Sequence, residues 1–140
     1  MRIGFIGAGN MASALARAIE HAEPSAEFIA HDVSAERLDR FAEGLRKVSV
    51  APSNAEVARE ADVTFLSVKP QVMGEVLPEL AETHALIVSI AAGVRLARLA
   101  AAMPRARLVR VMPNTPGLVA RMAAGYAAAS GVSEEDRRLV

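Results

Sequence analysis

Apolar and polar positions along the chain alternate between two periods. Short runs rich in β-branched residues predict strands, and each run is followed by a stretch whose apolar residues recur every three or four positions, as on one face of a helix. The predicted strands span residues 2–6, 27–31, 48–51, 63–68, 85–90 and 107–112. The predicted helices span residues 11–21, 35–45, 54–60, 71–82 and 96–103. We expect Pro78 to kink or divide the fourth helix, because proline lacks the N–H of a helical hydrogen bond.

The order of these elements predicts the fold class. Strands that alternate with helices form a parallel sheet through right-handed crossovers. The nearly continuous apolar runs at 63–68 and 85–90 are typical of strands that are covered on both faces. We therefore expect an α/β, Rossmann-like, doubly wound fold with a mainly parallel sheet and flanking helices.

The regular alternation ends after Met112. Residues 113–117 hold two prolines and a glycine, which predicts a loop. Residues 123–129 fit either an edge strand or a small helix. Ser133 and Asp136 have the spacing of a capping box, which predicts the start of another helix. We expect residues 1–132 to form one domain and residues 133–140 to begin a helix that leads to a helical domain absent from this sequence.

The turn after the first predicted strand carries a glycine pattern. Residues Gly7–Ala12 follow G-x-G-x-x-A, the fingerprint of dinucleotide-binding turns. The first glycine permits the tight turn, the second lets a pyrophosphate approach the backbone, and the small Ala12 lets helix and strand pack closely. Free amides at the start of the helix, together with its dipole, would hold the phosphates. The position between a strand and a helix favours cofactor binding over a turn that is glycine-rich for packing alone.

An acidic residue stands at the end of the second predicted strand. Asp32 follows Gly9 by 23 residues, close to the spacing of roughly 20 at which a carboxylate accepts hydrogen bonds from ribose hydroxyls. A carboxylate there also repels a 2′-phosphate, so we predict NAD(P)H binding with NADH favoured over NADPH. Two alternatives remain open: Asp32 caps the following helix, a task that Ser34 fits equally well, or Arg37 and His31 offset its charge and admit NADPH.

Small or polar residues also follow the later strands. After the fourth strand, Lys69 is either a donor to cofactor oxygens or a solvated lysine, and residues 89–93 after the fifth strand either leave room for a flat ring or pack strand against helix. The loop with Asn114 forms a wall beside the nicotinamide or an ordinary turn. Asn54, beside Ser53, caps the third helix, touches the cofactor, or does both. Because ligands of doubly wound sheets lie beyond the carboxyl ends of the strands, we expect these residues along one rim.

Composition argues against several other functions. Sixteen basic and sixteen acidic residues cancel, and only four Phe and one Tyr occur, so we expect no nucleic-acid partner. No apolar run reaches the roughly 18 residues of a membrane span, so we expect no membrane partner. The chain has no cysteine, and no pair of its three histidines has metal-ligand spacing, so we predict no metal site. A chain without disulfides suits a cytoplasmic location.

Four motifs in this order resemble those of one enzyme family. They are Ile6-Gly7-Ala8-Gly9-Asn10-Met11, Ser67-Val68-Lys69-Pro70, Val88-Ser89-Ile90-Ala91-Ala92-Gly93-Val94 and Arg110-Val111-Met112-Pro113-Asn114-Thr115-Pro116. The glycine turn is common to many dehydrogenases, whereas the combination of the other three is far more specific. On these motifs the chain resembles the Δ1-pyrroline-5-carboxylate reductase family, over essentially all of its 140 residues.

The resemblance implies an activity and a set of cofactor contacts. Members of the family reduce the C=N bond of 1-pyrroline-5-carboxylate, a small imino acid, with NAD(P)H and so form L-proline. The implied cofactor contacts are Ile6, Gly7, Ala8, Gly9, Asn10, Met11, Asp32, Asn54, Ser67, Val68, Lys69, Pro70, Ile90, Ala91, Ala92 and Asn114. The chain offers no convincing proton donor, so we assign no catalytic residue.

The sequence departs from the family in two respects. Asp32 stands where members often carry Ser, Thr or Asn-Arg, which suit a 2′-phosphate. Members also continue into a helical domain that dimerises and supplies the imino-acid pocket. We therefore expect a homo-oligomeric enzyme for the full protein and no activity for this chain alone. Two other functions stay open: another imine- or β-hydroxyacid-type dehydrogenase, or a non-enzymatic nucleotide-binding module.

Overall fold

The computed structural model describes residues 1–113 and 124–140. Its strands are β1 (Arg2–Ile6), β2 (Glu27–His31), β3 (Val48–Val50), β4 (Val63–Leu66), β5 (Leu86–Ser89), β6 (Arg107–Pro113) and β7 (Ala124–Ala128). Its helices are α1 (Asn10–Ala22), α2 (Ala35–Ala42), α3 (Asn54–Glu60), α4 (Met73–Glu79), α5 (Leu96–Ala102) and α6 (Glu134–Leu139), and a 3-10 turn (Pro70–Val72) precedes α4. None of these helices is long and apolar enough to cross a membrane.

The strands form one sheet in the order β3-β2-β1-β4-β5-β6-β7. Neighbours from β3 to β6 are parallel, and β7 pairs with β6 in the antiparallel direction. The fold prediction is confirmed: the sheet is doubly wound, mainly parallel and Rossmann-like. Because the chain moves outward from β1 to β3 and then returns to β4 on the other side of β1, a crevice opens between the carboxyl ends of β1 and β4.

Alternate residues along the strands supply two apolar layers, one on each face of the sheet. Phe28 packs in the layer that contains buried residues of α1 and α2, whereas its neighbour Ile29 packs in the layer of α3, α4 and α5. The first layer contains a cluster of rings, in which Phe5 lies 5.2 Å from Phe41 and 5.1 Å from Phe65 between centroids. The two covered faces explain the continuous apolar runs of the central strands.

Several predicted elements were too long. The second helix ends at Ala42 rather than at residue 45, and Gly44 follows in a left-handed conformation with φ of 81°. The predicted helix 71–82 is instead the 3-10 turn followed by the short α4, which carries Pro78 in its last turn. β4 ends at Leu66 and β5 at Ser89, because the chain leaves the sheet there and turns along its carboxyl edge.

The end of the described chain resolves one open alternative. Residues 124–128 are an edge strand rather than a small helix. The predicted capping box is present: the Ser133 hydroxyl accepts from the N–H of Asp136, and the Asp136 carboxylate accepts from the N–H of Ser133 at 3.0 Å. Asp136 also pairs with Arg107 of β6, which fixes α6 against the sheet.

Candidate cofactor-binding site

A cavity of about 390 Å³ opens at the carboxyl ends of β1, β2 and β4. It lies at the crevice where the strand order reverses, which is where doubly wound sheets bind their ligands. Nine of the sequence-predicted site residues line it together: Gly7, Ala8, Gly9, Asn10, Asp32, Asn54, Ser67, Val68 and Lys69. The fold therefore brings residues from four separate segments of the chain to one cavity.

The two glycines of the turn have different structural reasons. Gly7 adopts φ of 91°, and a Cβ on it would lie 2.8 Å from Cγ1 of Val68, so the turn itself requires glycine. Gly9 has an ordinary φ of −77°, and a Cβ on it would meet no atom within 4 Å. The protein leaves the space beside Gly9 open, as a site that binds a phosphate group against the backbone requires.

The first turn of α1 is suited to an anion. Gly9 is the N-cap and has no side chain to accept the first amide hydrogens, and the first turn contains no acidic residue. The first amides of a helix have no intrahelical acceptor, and the helix dipole places partial positive charge there. These features, with the open space beside Gly9, fit the diphosphate of a dinucleotide.

The Asp32 side chain is held against the glycine turn. Its Oδ2 accepts the N–H of Ala8 at 2.9 Å, and its Oδ1 accepts the N–H of Ser34 at 2.9 Å. The guanidinium of Arg37 lies 3.4 Å from Oδ1. Ser34, not Asp32, is the N-cap of α2, since its hydroxyl accepts from the N–H of Arg37. The alternative in which Asp32 caps the helix is therefore wrong.

The segment after β4 holds the opposite side of the turn. The Ser67 hydroxyl lies 2.7 Å from the carbonyl oxygen of Gly7 and 3.0 Å from that of Ile6. Lys69 is exposed and lines the cavity. Asn54, at the start of α3, is buried and also lines the cavity, while Ser53 caps that helix through the N–H of Glu56.

Among the described residues, cations outnumber carboxylates around the cavity. Arg37, Arg40 and Lys69 line it, against Asp32 and Glu75. This balance of charge suits a ligand that carries phosphate groups. The Nδ1 of His31 lies 2.9 Å from the carbonyl oxygen of Ala51, the residue directly after β3. A carbonyl oxygen only accepts, so this ring nitrogen carries the hydrogen and donates it.

Six of the predicted contacts that the structure describes do not line this cavity. Ile6 is fully buried in the core, and Ile90 lines a separate apolar cavity with residues such as Phe65. Ala91 is buried and Ala92 is exposed. The other two are Met11 and Pro70, which are half-buried. Asn114, also a predicted contact, lies outside the described residues. Contact with a cofactor stays a prediction for all of these residues, including the nine that line the cavity.

Sequence reasoning missed several residues of the cavity. Ser13 and Arg40 are examples. Ser13 lies about one helical turn beyond Gly9, and Arg40 about one turn beyond Arg37. The period of the helix was therefore the signal that could have found them. Val33, Val72, Glu75 and Val76 also line the cavity, and no motif in the sequence marks them.

Comparisons with known proteins identify the family to which the chain is similar. The model of the family described as "NADP oxidoreductase coenzyme F420-dependent" matches residues 2–93. The chain is 45% identical over 137 residues to a pyrroline-5-carboxylate reductase of Pseudomonas aeruginosa, a match that covers 94% of this chain and 50% of the relative. The chain spans about half the length of the curated relatives it matches.

Solved structures give the same result. A pyrroline-5-carboxylate reductase from Coxiella burnetii is similar with a TM-score of 0.88 and 33% identity, over 98% of this chain and 53% of that one. The Plasmodium falciparum pyrroline carboxylate reductase with NADP bound is similar with a TM-score of 0.83 and 28% identity, over 99% of this chain and 52% of that one.

Proposed function

Because the chain belongs to the family described as NADP oxidoreductase coenzyme F420-dependent, we propose that it is the NAD(P)H-binding part of a pyrroline-5-carboxylate reductase. The whole enzyme reduces the C=N bond of 1-pyrroline-5-carboxylate to give L-proline. One observation carries the proposal: a chain that is 45% identical to a reductase of that name has a cavity where the strand order reverses, beside an open glycine turn.

The residues of this chain bind and orient the cofactor. The amides that follow Gly9 hold its diphosphate, and Asp32 accepts hydrogen bonds from the adenosine ribose. Lys69 donates to cofactor oxygens. When bound, NAD(P)H supplies the hydride, and its chemistry is that of the nicotinamide.

The organisation of the whole protein is part of the proposal. Residues 1–132 form the cofactor domain, and residues 133–140 begin the connection to a helical domain. That domain completes the imino-acid pocket and joins subunits into a homo-oligomer. The curated relatives, about twice as long as this chain, support this division.

Cofactor preference depends on Asp32. We propose that NADH binds more tightly than NADPH, because a carboxylate at the end of β2 repels a 2′-phosphate, and only 6% of its side chain is exposed, which limits screening by water. Arg37 opposes this preference, since its guanidinium lies 3.4 Å from the carboxylate. The ratio of the two dissociation constants is the test, and a preference for NADPH of about tenfold, or 1.4 kcal/mol, would overturn this part of the proposal.

The substrate is tested with a fused protein. The chain alone is expected to form no measurable proline, because hydride transfer needs donor and acceptor carbons held roughly 3–3.5 Å apart, and the helical domain supplies the substrate side. Joined to the second half of the Pseudomonas aeruginosa relative, it should oxidise NADH when 1-pyrroline-5-carboxylate is added. A fusion with Gly9→Ala is the matched control for cofactor binding.

Other outcomes distinguish the alternatives. Turnover of a different imine or a β-hydroxy acid, without turnover of 1-pyrroline-5-carboxylate, would identify another dehydrogenase. Tight nucleotide binding by the chain, with no turnover of any of these substrates by the fusion, would favour a non-enzymatic nucleotide-binding module.

A further inference from the structure

The peptide unit between Gly7 and Ala8 is held at both of its polar ends by side chains. Its carbonyl oxygen, on Gly7, accepts the Ser67 hydroxyl at 2.7 Å. Its N–H, on Ala8, donates to Oδ2 of Asp32 at 2.9 Å. Ser67 follows β4 and Asp32 follows β2, and these strands flank β1 in the sheet. The two side chains therefore reach one peptide from opposite sides.

These contacts restrict a part of the chain that is otherwise free to rotate. Gly7, at φ of 91°, lacks the Cβ that limits other residues, so its own torsions do not fix the next peptide. The N–H of Gly7 donates to the carbonyl of His31 at 2.8 Å, which holds the start of the turn but not the Gly7–Ala8 peptide. Gly9, the N-cap of α1, comes directly after this peptide. The orientation of the Gly7–Ala8 peptide therefore decides where the first free amides of α1 point.

We propose that Asp32 and Ser67 are positioning residues for the phosphate-binding turn. Together they fix the Gly7–Ala8 peptide, and through it they hold the amides at the start of α1 in the orientation that binds the diphosphate. This inference rests on the proposed cofactor function and deepens it. It gives Asp32 a second task beside the ribose contact, and it assigns the Ser67 hydroxyl to the turn rather than to the cofactor.

The chemistry of the contacts explains why a carboxylate is needed. Asp32 accepts one backbone N–H on each oxygen, from Ala8 on Oδ2 and from Ser34 on Oδ1. Asparagine has a single acceptor oxygen, so its NH₂ group would face one of these two donors. Asp32→Asn therefore keeps the size of the side chain and its ability to bond a ribose hydroxyl, but it loses one backbone contact. The Ser67 hydroxyl has one hydrogen to donate, and Ser67→Ala removes it.

Two ligands distinguish positioning from ribose contact. ADP has both ribose hydroxyls, whereas 2′,3′-dideoxy-ADP has the same diphosphate and neither hydroxyl. If Asp32 positions the turn, Asp32→Asn weakens both ligands by a similar factor of about five to ten, the effect of one hydrogen bond. If Asp32 contacts only the ribose, Asp32→Asn leaves the affinity for 2′,3′-dideoxy-ADP unchanged, because that ligand has no ribose hydroxyl. Ser67→Ala should also weaken both ligands, and Ser67→Thr, which keeps the hydroxyl, should restore them.

A spectroscopic measurement on the wild-type chain does not depend on how the variants fold. The Ala8 amide hydrogen should exchange with solvent more slowly than those of Gly9 and Asn10, because the Asp32 carboxylate accepts its hydrogen bond. In Ser67→Ala the amide resonances of Gly9 and Asn10 should shift before any ligand is added.

The outcomes separate this inference from the function on which it rests. A wild-type chain that binds neither ADP nor NADH would overturn the proposed function. A wild-type chain that binds both, with unchanged affinity for 2′,3′-dideoxy-ADP in Asp32→Asn and Ser67→Ala, would overturn only the positioning role. If a variant does not fold, an Ala8 amide that exchanges as fast as those of Gly9 and Asn10 in the wild type leads to the same rejection.

Discussion

Substitution of Gly9 by alanine separates binding from folding more cleanly than any other change in the turn. Gly9 has φ of −77°, which alanine adopts without strain, and the added Cβ would meet no atom within 4 Å. Alanine is a poorer N-cap than glycine by several tenths of a kcal/mol, and the loss of unfolded-state freedom returns about 0.4–1 kcal/mol. We therefore expect the free energy of unfolding to change by less than about 0.5 kcal/mol.

The same methyl group should be costly for the ligand. It would fill the space beside the amides of α1, so the diphosphate could no longer reach them. Each hydrogen bond to a charged group contributes about 1.5–3 kcal/mol. Loss of a single one weakens binding by at least about tenfold, and loss of two by about a hundredfold or more. Titration of the chain with NADH and with ADP measures this change.

Gly7→Ala is the matched control. Its φ of 91° disfavours any residue with a Cβ, and that atom would lie 2.8 Å from the Val68 side chain. The left-handed conformation should cost about 1–2 kcal/mol and the overlap about 1–3 kcal/mol. Both penalties should lower the free energy of unfolding, which urea unfolding measures. If Gly9→Ala is stable and binds NADH as tightly as the wild type, the diphosphate does not lie on this turn and the reasoning fails.

Three further predictions concern stability, measured by urea unfolding. Thr64→Val should raise the free energy of unfolding by about 1 kcal/mol, because the buried Thr64 hydroxyl has no hydrogen-bond partner among the described residues; a loss would contradict this. Gly4→Ala should lower it by about 1–3 kcal/mol, since the new Cβ would lie 2.7 Å from Cγ1 of Val57, and an unchanged midpoint would show that the neighbours move aside. Burial acts to raise the pKa of Asp136, but hydrogen bonds from Ser133 and the charge of a nearby arginine outweigh it and hold that pKa below its usual value. A lowered pKa stabilises the fold above the unfolded-state pKa, and this contribution disappears as the pH falls through the folded-state pKa; Asp136→Asn should remove that acid-dependent loss, and an identical pH profile would refute the assignment.

The sequence by itself determined the order of the first six strands and of the helices between them. Runs of β-branched residues locate the strands within a few residues, and helical spacing of apolar residues locates the helices. The signal is strong for the central strands, because a strand that is buried on both faces has a continuous apolar sequence. The glycine turn could also be predicted, because the positive φ of Gly7 is a local requirement of the turn. Element ends were less certain: nothing local indicates that β4 stops at Leu66, where the chain turns toward the cavity.

Only the tertiary structure decided what the side chains at the sheet edge do. Asp32 and Ser67 are 35 positions apart in the chain, and no local pattern shows that both reach the same peptide of the glycine turn. That meeting follows from the strand order, which places β2 and β4 on either side of β1. For the same reason the sequence could not show whether residues 123–129 form a strand or a helix. The pairing of β7 with β6 depends on residues that are distant in sequence. Periodicity records which face of an element is buried, whereas contacts between strand ends depend on how the sheet is assembled.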